Sequence, residues 1–207
     1  MHNAARCSDG VGRSSGQSFG GGVWLPGHRQ LVDLSRRAPQ NGGMDRWLII
    51  LRHAKSAWPD VDDHDRPLAP RGLRDAPNAG RWLRDAGYVP ERVLCSTAVR
   101  ARETYQLAQG HFGAEPSVDY EDRLYGADVE DVLELVHAIP DTVTRLMVVG
   151  HEPWVSDLTL HLARSGEALE RVRVKYPTAG IAVLGVTESW AELGEGTAVL
   201  KDFHTPR

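Results

Sequence analysis

The stretch that decides the fold is Trp47-Leu48-Ile49-Ile50-Leu51-Arg52-His53-Ala54-Lys55-Ser56. An unbroken apolar run bounded by polar residues reads as a buried strand, the kind that sits inside a parallel sheet. The run stops abruptly at Arg52-His53, two side chains that can bind or transfer an anion, and passes into a loop. In open parallel sheets, ligands bind beyond the carboxyl ends of the strands, and this pair occupies such an end.

The same punctuation occurs twice more. Val93-Leu94-Cys95 runs into Ser96-Thr97 and a helix start that carries Arg100 and Arg102. Leu146-Met147-Val148-Val149 runs into Gly150-His151-Glu152-Pro153. Between and beyond these points, short apolar segments alternate with longer amphipathic ones. Strands are predicted over 47–51, 92–95, 145–149, 180–186 and 197–203, and helices over 70–86, 98–109, 128–138 and 154–164. That alternation predicts an α/β fold, a three-layer α/β/α sandwich around a mostly parallel sheet. Pro77 falls inside the first helical pattern and predicts a bend there or a shifted start.

Composition sets the outer bounds. The chain has 207 residues, 41% of them hydrophobic and 25% charged, enough for the core of one domain. A net charge of −4 and a pI near 6.1 argue against a general nucleic-acid or membrane-surface binder, so any anion site must be local. The two cysteines, Cys7 and Cys95, have no paired spacing, which fits a reducing cytoplasm. No apolar run approaches the roughly 20 residues of a membrane span, and residues 1–22 lack the apolar core of an export signal. The glycine- and serine-rich segment 1–43 reads either as a flexible N-terminal extension or as sequence upstream of a native start at Met44. The catalytic domain is then 44–207.

Arginines converging on one sheet edge would chelate phosphate oxygens through charge-assisted hydrogen bonds. A neutral imidazole among them can attack phosphorus while the guanidinium groups balance charge on the equatorial oxygens. His53 fits the nucleophile, Arg52 and Arg100 the anion clamp, and His151 a second donor to the transition state. Lys55 reads as a charge at the entrance that meets substrate. This chemistry needs neither metal nor cofactor.

Arg52-His53, Ser96-Thr97-Ala98-Val99-Arg100-Ala101 with Thr104, and Gly150-His151, in that order, resemble the histidine phosphatase superfamily, and within it the short SixA-type phosphohistidine phosphatases. The likeness extends from about Trp47 to Val186. It takes in Asp65-Arg66-Pro67-Leu68 with Gly72 and Tyr176-Pro177-Thr178, which look like structural signatures of the short family. The resemblance implies a phosphoglycerate-mutase-like fold and a phosphohistidine intermediate on His53, inside a pocket completed by Arg52, Arg100 and His151. Two departures stand out. Ala54 replaces a glycine common after the Arg-His pair, and no unambiguous glutamate supplies a general acid; Glu121 and Asp122 are the nearest candidates. A missing acid favours a phosphoramidate, because a phosphohistidine nitrogen leaves far more easily than an alkoxide. The expected partner is therefore a phosphorylated protein, with a small phosphorylated metabolite or nucleotide as the alternative substrate and a non-catalytic phosphate-binding module as the alternative outside enzymology.

Rival chemistries fail on spacing. A cysteine phosphatase loop needs arginine six residues after Cys95, where Ala101 stands, so Cys95 reads as core. His151-Glu152 lacks the second histidine of a zinc helix, since Val155 takes that place. Asp60, Asp62, Asp63 and Asp65 around His64 read as a solvated acidic loop, with Asp65 and Arg66 holding it across the entrance. Thr178 and Arg102 are left out of the catalytic set.

Overall fold

In the computed structural model, which describes residues 46–206, the decisive stretch forms β1 (Arg46–Arg52) at the middle of a seven-stranded sheet. The other strands are β2 (Arg92–Ser96), β3 (Ser117–Glu121), β4 (Arg145–Gly150), β5 (Ala163–Ser165), β6 (Ile181–Val186) and β7 (Ala198–His204), in the spatial order β3-β2-β4-β1-β6-β7-β5. The helices are α1 (Pro70–Ala86), α2 (Val99–Gln109), α3 (Val129–His137), α4 (Trp154–Leu162) and α5 (Leu169–Val174).

Alternation along β1 builds three layers. Leu48 and Ile50 face a core closed by Val132 and Val136 of α3, Leu158 and Leu162 of α4 and Val172 of α5. Ile49 and Leu51 face a second core, closed by Ala79 and Leu83 of α1 and Ala101, Tyr105 and Ala108 of α2. All four β1 residues are fully buried, which is why the run carries no polar alternation. The expected sandwich is present, and no described helix is long and apolar enough to cross a membrane.

Several details differ from the sequence reading. The sheet is mixed: β1, β4, β2 and β3 run parallel, but β6 is antiparallel to both β1 and β7. The segment 176–180 turns beside the carboxyl end of β1, where the Arg52 N–H donates to the Gly180 carbonyl at 3.0 Å. A strand that starts at that edge must run away from it. β3 and β5 were not anticipated. β3 is an edge strand with mixed exposure and no apolar signal, and β5 consumes the end of the predicted 154–164 helix. α5 was likewise unanticipated. Pro77 does not shift the start of α1, which begins at Pro70 as expected and runs to Ala86. The proposed boundary between 1–43 and 44–207 lies outside the described residues.

Candidate active site

Three parallel strands, β2, β4 and β1, are neighbours, so their carboxyl ends lie on one edge. This brings Ser96, Gly150-His151 and Arg52-His53 side by side. The His53 N–H donates to the Gly150 carbonyl at 2.9 Å, extending the β1–β4 pairing one residue into the site. Gly150 is required there, because an added Cβ would lie 1.9 Å from Cζ2 of the buried Trp154. Thr104 ties two of the elements together: its hydroxyl accepts the Ala54 N–H at 2.9 Å and donates to the Arg100 carbonyl at 2.6 Å.

His53 is buried, and its Nδ1 lies 2.7 Å from the Ala54 carbonyl. A carbonyl only accepts, so we assign the ring proton to Nδ1, which leaves the Nε2 lone pair free. Burial pushes the His53 pKa down to about 4, with the Arg100, Arg52 and Arg66 charges acting in the same direction against the Ala54 bond. The ring is therefore neutral at pH 7. His151 packs against it, ring centroids 5.1 Å apart, and burial pushes its pKa down to about 3. Its Nε2 lies 2.8 Å from Ser96 Oγ, while its Nδ1 is buried with no partner. We assign the serine hydroxyl as the donor to Nε2, which places the His151 proton on Nδ1, a donor in want of an acceptor.

The arginines are held by backbone carbonyls and a carboxylate from neighbouring segments. Arg52 Nη1 donates to the Tyr176 carbonyl at 2.5 Å and lies 3.7 Å from Glu152, and its buried Nε has no partner. Arg100 gives Nη1 to the Asp63 carbonyl at 2.5 Å and Nη2 to the Asp63 carboxylate at 2.9 Å. A cavity of about 180 Å³ opens over His53, Arg52, Arg100 and Lys55, with Ser56, Trp58, Arg66 and Thr178 completing its wall. The structure thus gathers all four expected pocket residues, with His151 against the His53 ring and not on the cavity wall.

Asp63 corrects the reading of the acidic loop as merely solvated. Its carboxylate accepts from Arg66 Nη1 at 2.7 Å, Arg100 Nη2 at 2.9 Å and the Tyr125 hydroxyl at 2.8 Å. Those bonds, the Arg66 and Tyr125 ones foremost, hold it far below the usual carboxylate range. Neither Glu121 nor Asp122 lines the cavity; the side chain that reaches the site from that loop is Tyr125, through Asp63. Arg66 is buried and fixed by Ala57, Asp63 and Ser56. The one usable signal for Asp63 was its i,i+3 spacing from Arg66, lost among the three neighbouring aspartates Asp60, Asp62 and Asp65. Thr178 reaches the wall because β6 begins at this edge. Arg102 is exposed, and Cys95 is core, its thiol pushed up to about 12 by burial.

Comparison with known proteins shows the family and the fold. Residues 48–189 match the family model of the histidine phosphatase superfamily, branch 1. An uncharacterized protein of Mycobacterium tuberculosis is 49% identical over 162 residues, covering 76% of this chain and all of the relative. A solved structure described as a candidate phosphohistidine phosphatase SixA of Nakamurella multipartitia superposes with a TM-score of 0.71 at 36% identity, covering 78% of this chain and 96% of the other. A corresponding protein of Agrobacterium tumefaciens gives 0.67 at 33%, covering 78% and 98%.

Proposed function

The chain belongs to branch 1 of the histidine phosphatase superfamily, and from that premise we propose that it hydrolyses protein phosphohistidine through a covalent intermediate on His53. The observation that carries the reading is the state of His53: a neutral imidazole with its proton fixed on Nδ1 and its Nε2 unpaired, inside a cluster of arginines.

In the first step Nε2 of His53 attacks phosphorus in line with the bond to the substrate nitrogen. A P–N bond forms to His53, the substrate P–N bond breaks, and the substrate ring leaves as neutral imidazole once its far nitrogen carries a proton. Arg52 and Arg100 hold the equatorial oxygens, and His151, packed behind the His53 ring with an unpartnered Nδ1, is the donor next in reach of the phosphoryl group once the ring turns toward the cavity. In the second step water attacks the phosphorus on His53, releasing inorganic phosphate and restoring the neutral ring. Lys55, exposed on the cavity wall, attracts the anionic substrate.

The choice of a phosphoramidate over an ester rests on the available acids. An alkyl ester needs its departing oxygen protonated. Asp63, which accepts from Arg66, Arg100 and Tyr125, is held strongly toward its anionic form, and Glu152, 3.7 Å from Arg52 Nη1, does not line the cavity, so neither carboxylate is placed to supply that proton. A phosphohistidine substrate takes its proton from solvent at the far ring nitrogen, away from the departing atom, and needs no acid in the pocket. No step calls for a metal, and the reading predicts turnover in EDTA.

Rapid mixing with a small phosphoryl donor in EDTA, followed by intact-mass measurement, tests the proposal. The expected result is an acid-labile phosphoryl adduct on His53 in the wild type, absent together with turnover in His53→Ala. Turnover surviving in His53→Ala, or abolished in the wild type by EDTA, would overturn the mechanism.

A further inference from the structure

One large apolar side chain stands at the rim of the cavity with its surface open. Trp58 is 76% exposed, yet it belongs to the wall of the same cavity as His53. An indole left in water contributes little to the fold, so its place at the rim invites an occupant.

The indole is also held in position. The Arg66 guanidinium lies over the ring, its Cζ 3.2 Å from the centroid. Arg66 is itself immobilised: Nε donates to the Ala57 carbonyl at 2.9 Å, Nη1 to Asp63 at 2.7 Å and Nη2 to Ser56 Oγ at 2.6 Å. One face of Trp58 is therefore covered by a fixed cation, and the exposure belongs to the rest of the ring. A pre-positioned aromatic plane loses little conformational freedom when a second plane stacks on it.

In-line attack by a nucleophile at the floor of a pocket sends the leaving group toward its mouth. The part of the substrate that meets the rim is thus the group that departs. Lys55 and Thr178 share the wall but offer no flat surface. From these placements we infer that Trp58 selects the leaving group, its free face stacking on the imidazole ring of the phosphorylated histidine. This assignment rests on the phosphohistidine reading above and adds to it a specificity residue outside the anion clamp. Stacking orients the ring so that its P–N bond lies in line with His53, and it favours a planar leaving group over a flexible one.

Phosphohistidine and phospholysine separate these properties, because both carry a phosphoryl group on nitrogen but only one presents a ring. The measurement is the ratio of kcat/KM for phosphohistidine to that for phospholysine in the wild type, Trp58→Ala and Trp58→Phe. Any disturbance of Arg66 by the substitution acts on both substrates and cancels in the ratio. Loss of one stacking partner lowers the ratio by roughly 3- to 10-fold in Trp58→Ala, and Trp58→Phe restores most of it. A ratio that does not move in Trp58→Ala overturns the role of Trp58 while leaving the His53 mechanism standing. A wild-type enzyme inert toward both substrates overturns the substrate reading, and the role of Trp58 with it.

Discussion

Replacing His53 with Gln should flatten the dependence of stability on pH, and the size of that change follows from the burial of the imidazole. In the folded chain its pKa lies near 4, against an ordinary value of 6.5. A histidine whose native pKa is depressed binds protons more readily when unfolded, so its contribution to stability is complete above about 6.5 and is lost as pH falls toward 4. At pH 5 an unfolded histidine carries about 0.9 proton more than the buried one, a slope of about 1.2 kcal/mol per pH unit. Integrated over the window, the loss is roughly 3 kcal/mol. Urea unfolding of wild type and His53→Gln at intervals between pH 4 and 7.5 measures it. Both proteins retain the other titrating groups, and His151 is held neutral first by its own burial and only secondarily by the His53 charge, so most of its contribution cancels in the difference in slopes at pH 5. The wild-type slope at pH 5 should exceed that of the variant by about 1.2 kcal/mol per pH unit. Equal slopes would show that His53 titrates alike in both states, which would refute the neutral, desolvated nucleophile.

Two further substitutions probe the loop around the site. Asp63→Asn removes the negative charge that engages Arg100 Nη2 at 2.9 Å, and inorganic phosphate should then bind roughly tenfold tighter, about 1.4 kcal/mol by titration calorimetry; unchanged or weaker binding would show that the carboxylate serves the site by fixing Arg100. Gly72→Ala places a Cβ 2.2 Å from the Lys55 carbonyl, which accepts the Ala69 N–H at 2.8 Å. The strain should cost about 1–3 kcal/mol in urea unfolding and lower kcat by displacing the segment next to His53, whereas wild-type kinetics would separate this loop from catalysis.

The sequence by itself determined the layered α/β fold and which polar side chains gather at the carboxyl edge of the sheet. An all-apolar run as short as Leu48–Leu51, bounded by polar residues, reads as a strand covered on both faces, and a parallel arrangement of such strands puts whatever follows each one at a common edge. Arg52, His53, Arg100 and His151 were legible for that reason: each lies at or just beyond a strand end. The antiparallel entry of β6 was not legible, since Ile181–Val186 is apolar in either direction and only its pairing with β1 sets the sense. The edge strand β3 and the three-residue β5 carry too little apolar pattern to announce themselves. The same limit hid the partners of the pocket. Asp63 and Trp58 sit in a polar loop whose composition is that of a solvated surface, and beyond the i,i+3 spacing of Asp63 from Arg66 nothing in the sequence says that this carboxylate also meets Arg100 and Tyr125, or that one indole lies over Arg66. Tyr125 and Arg100 come from separate segments of the chain, so that network exists only once the sheet has gathered them. Local periodicity encodes which residues are buried and where strands end; contacts between loops depend on the relative placement of whole elements, and that is a property of the tertiary structure alone.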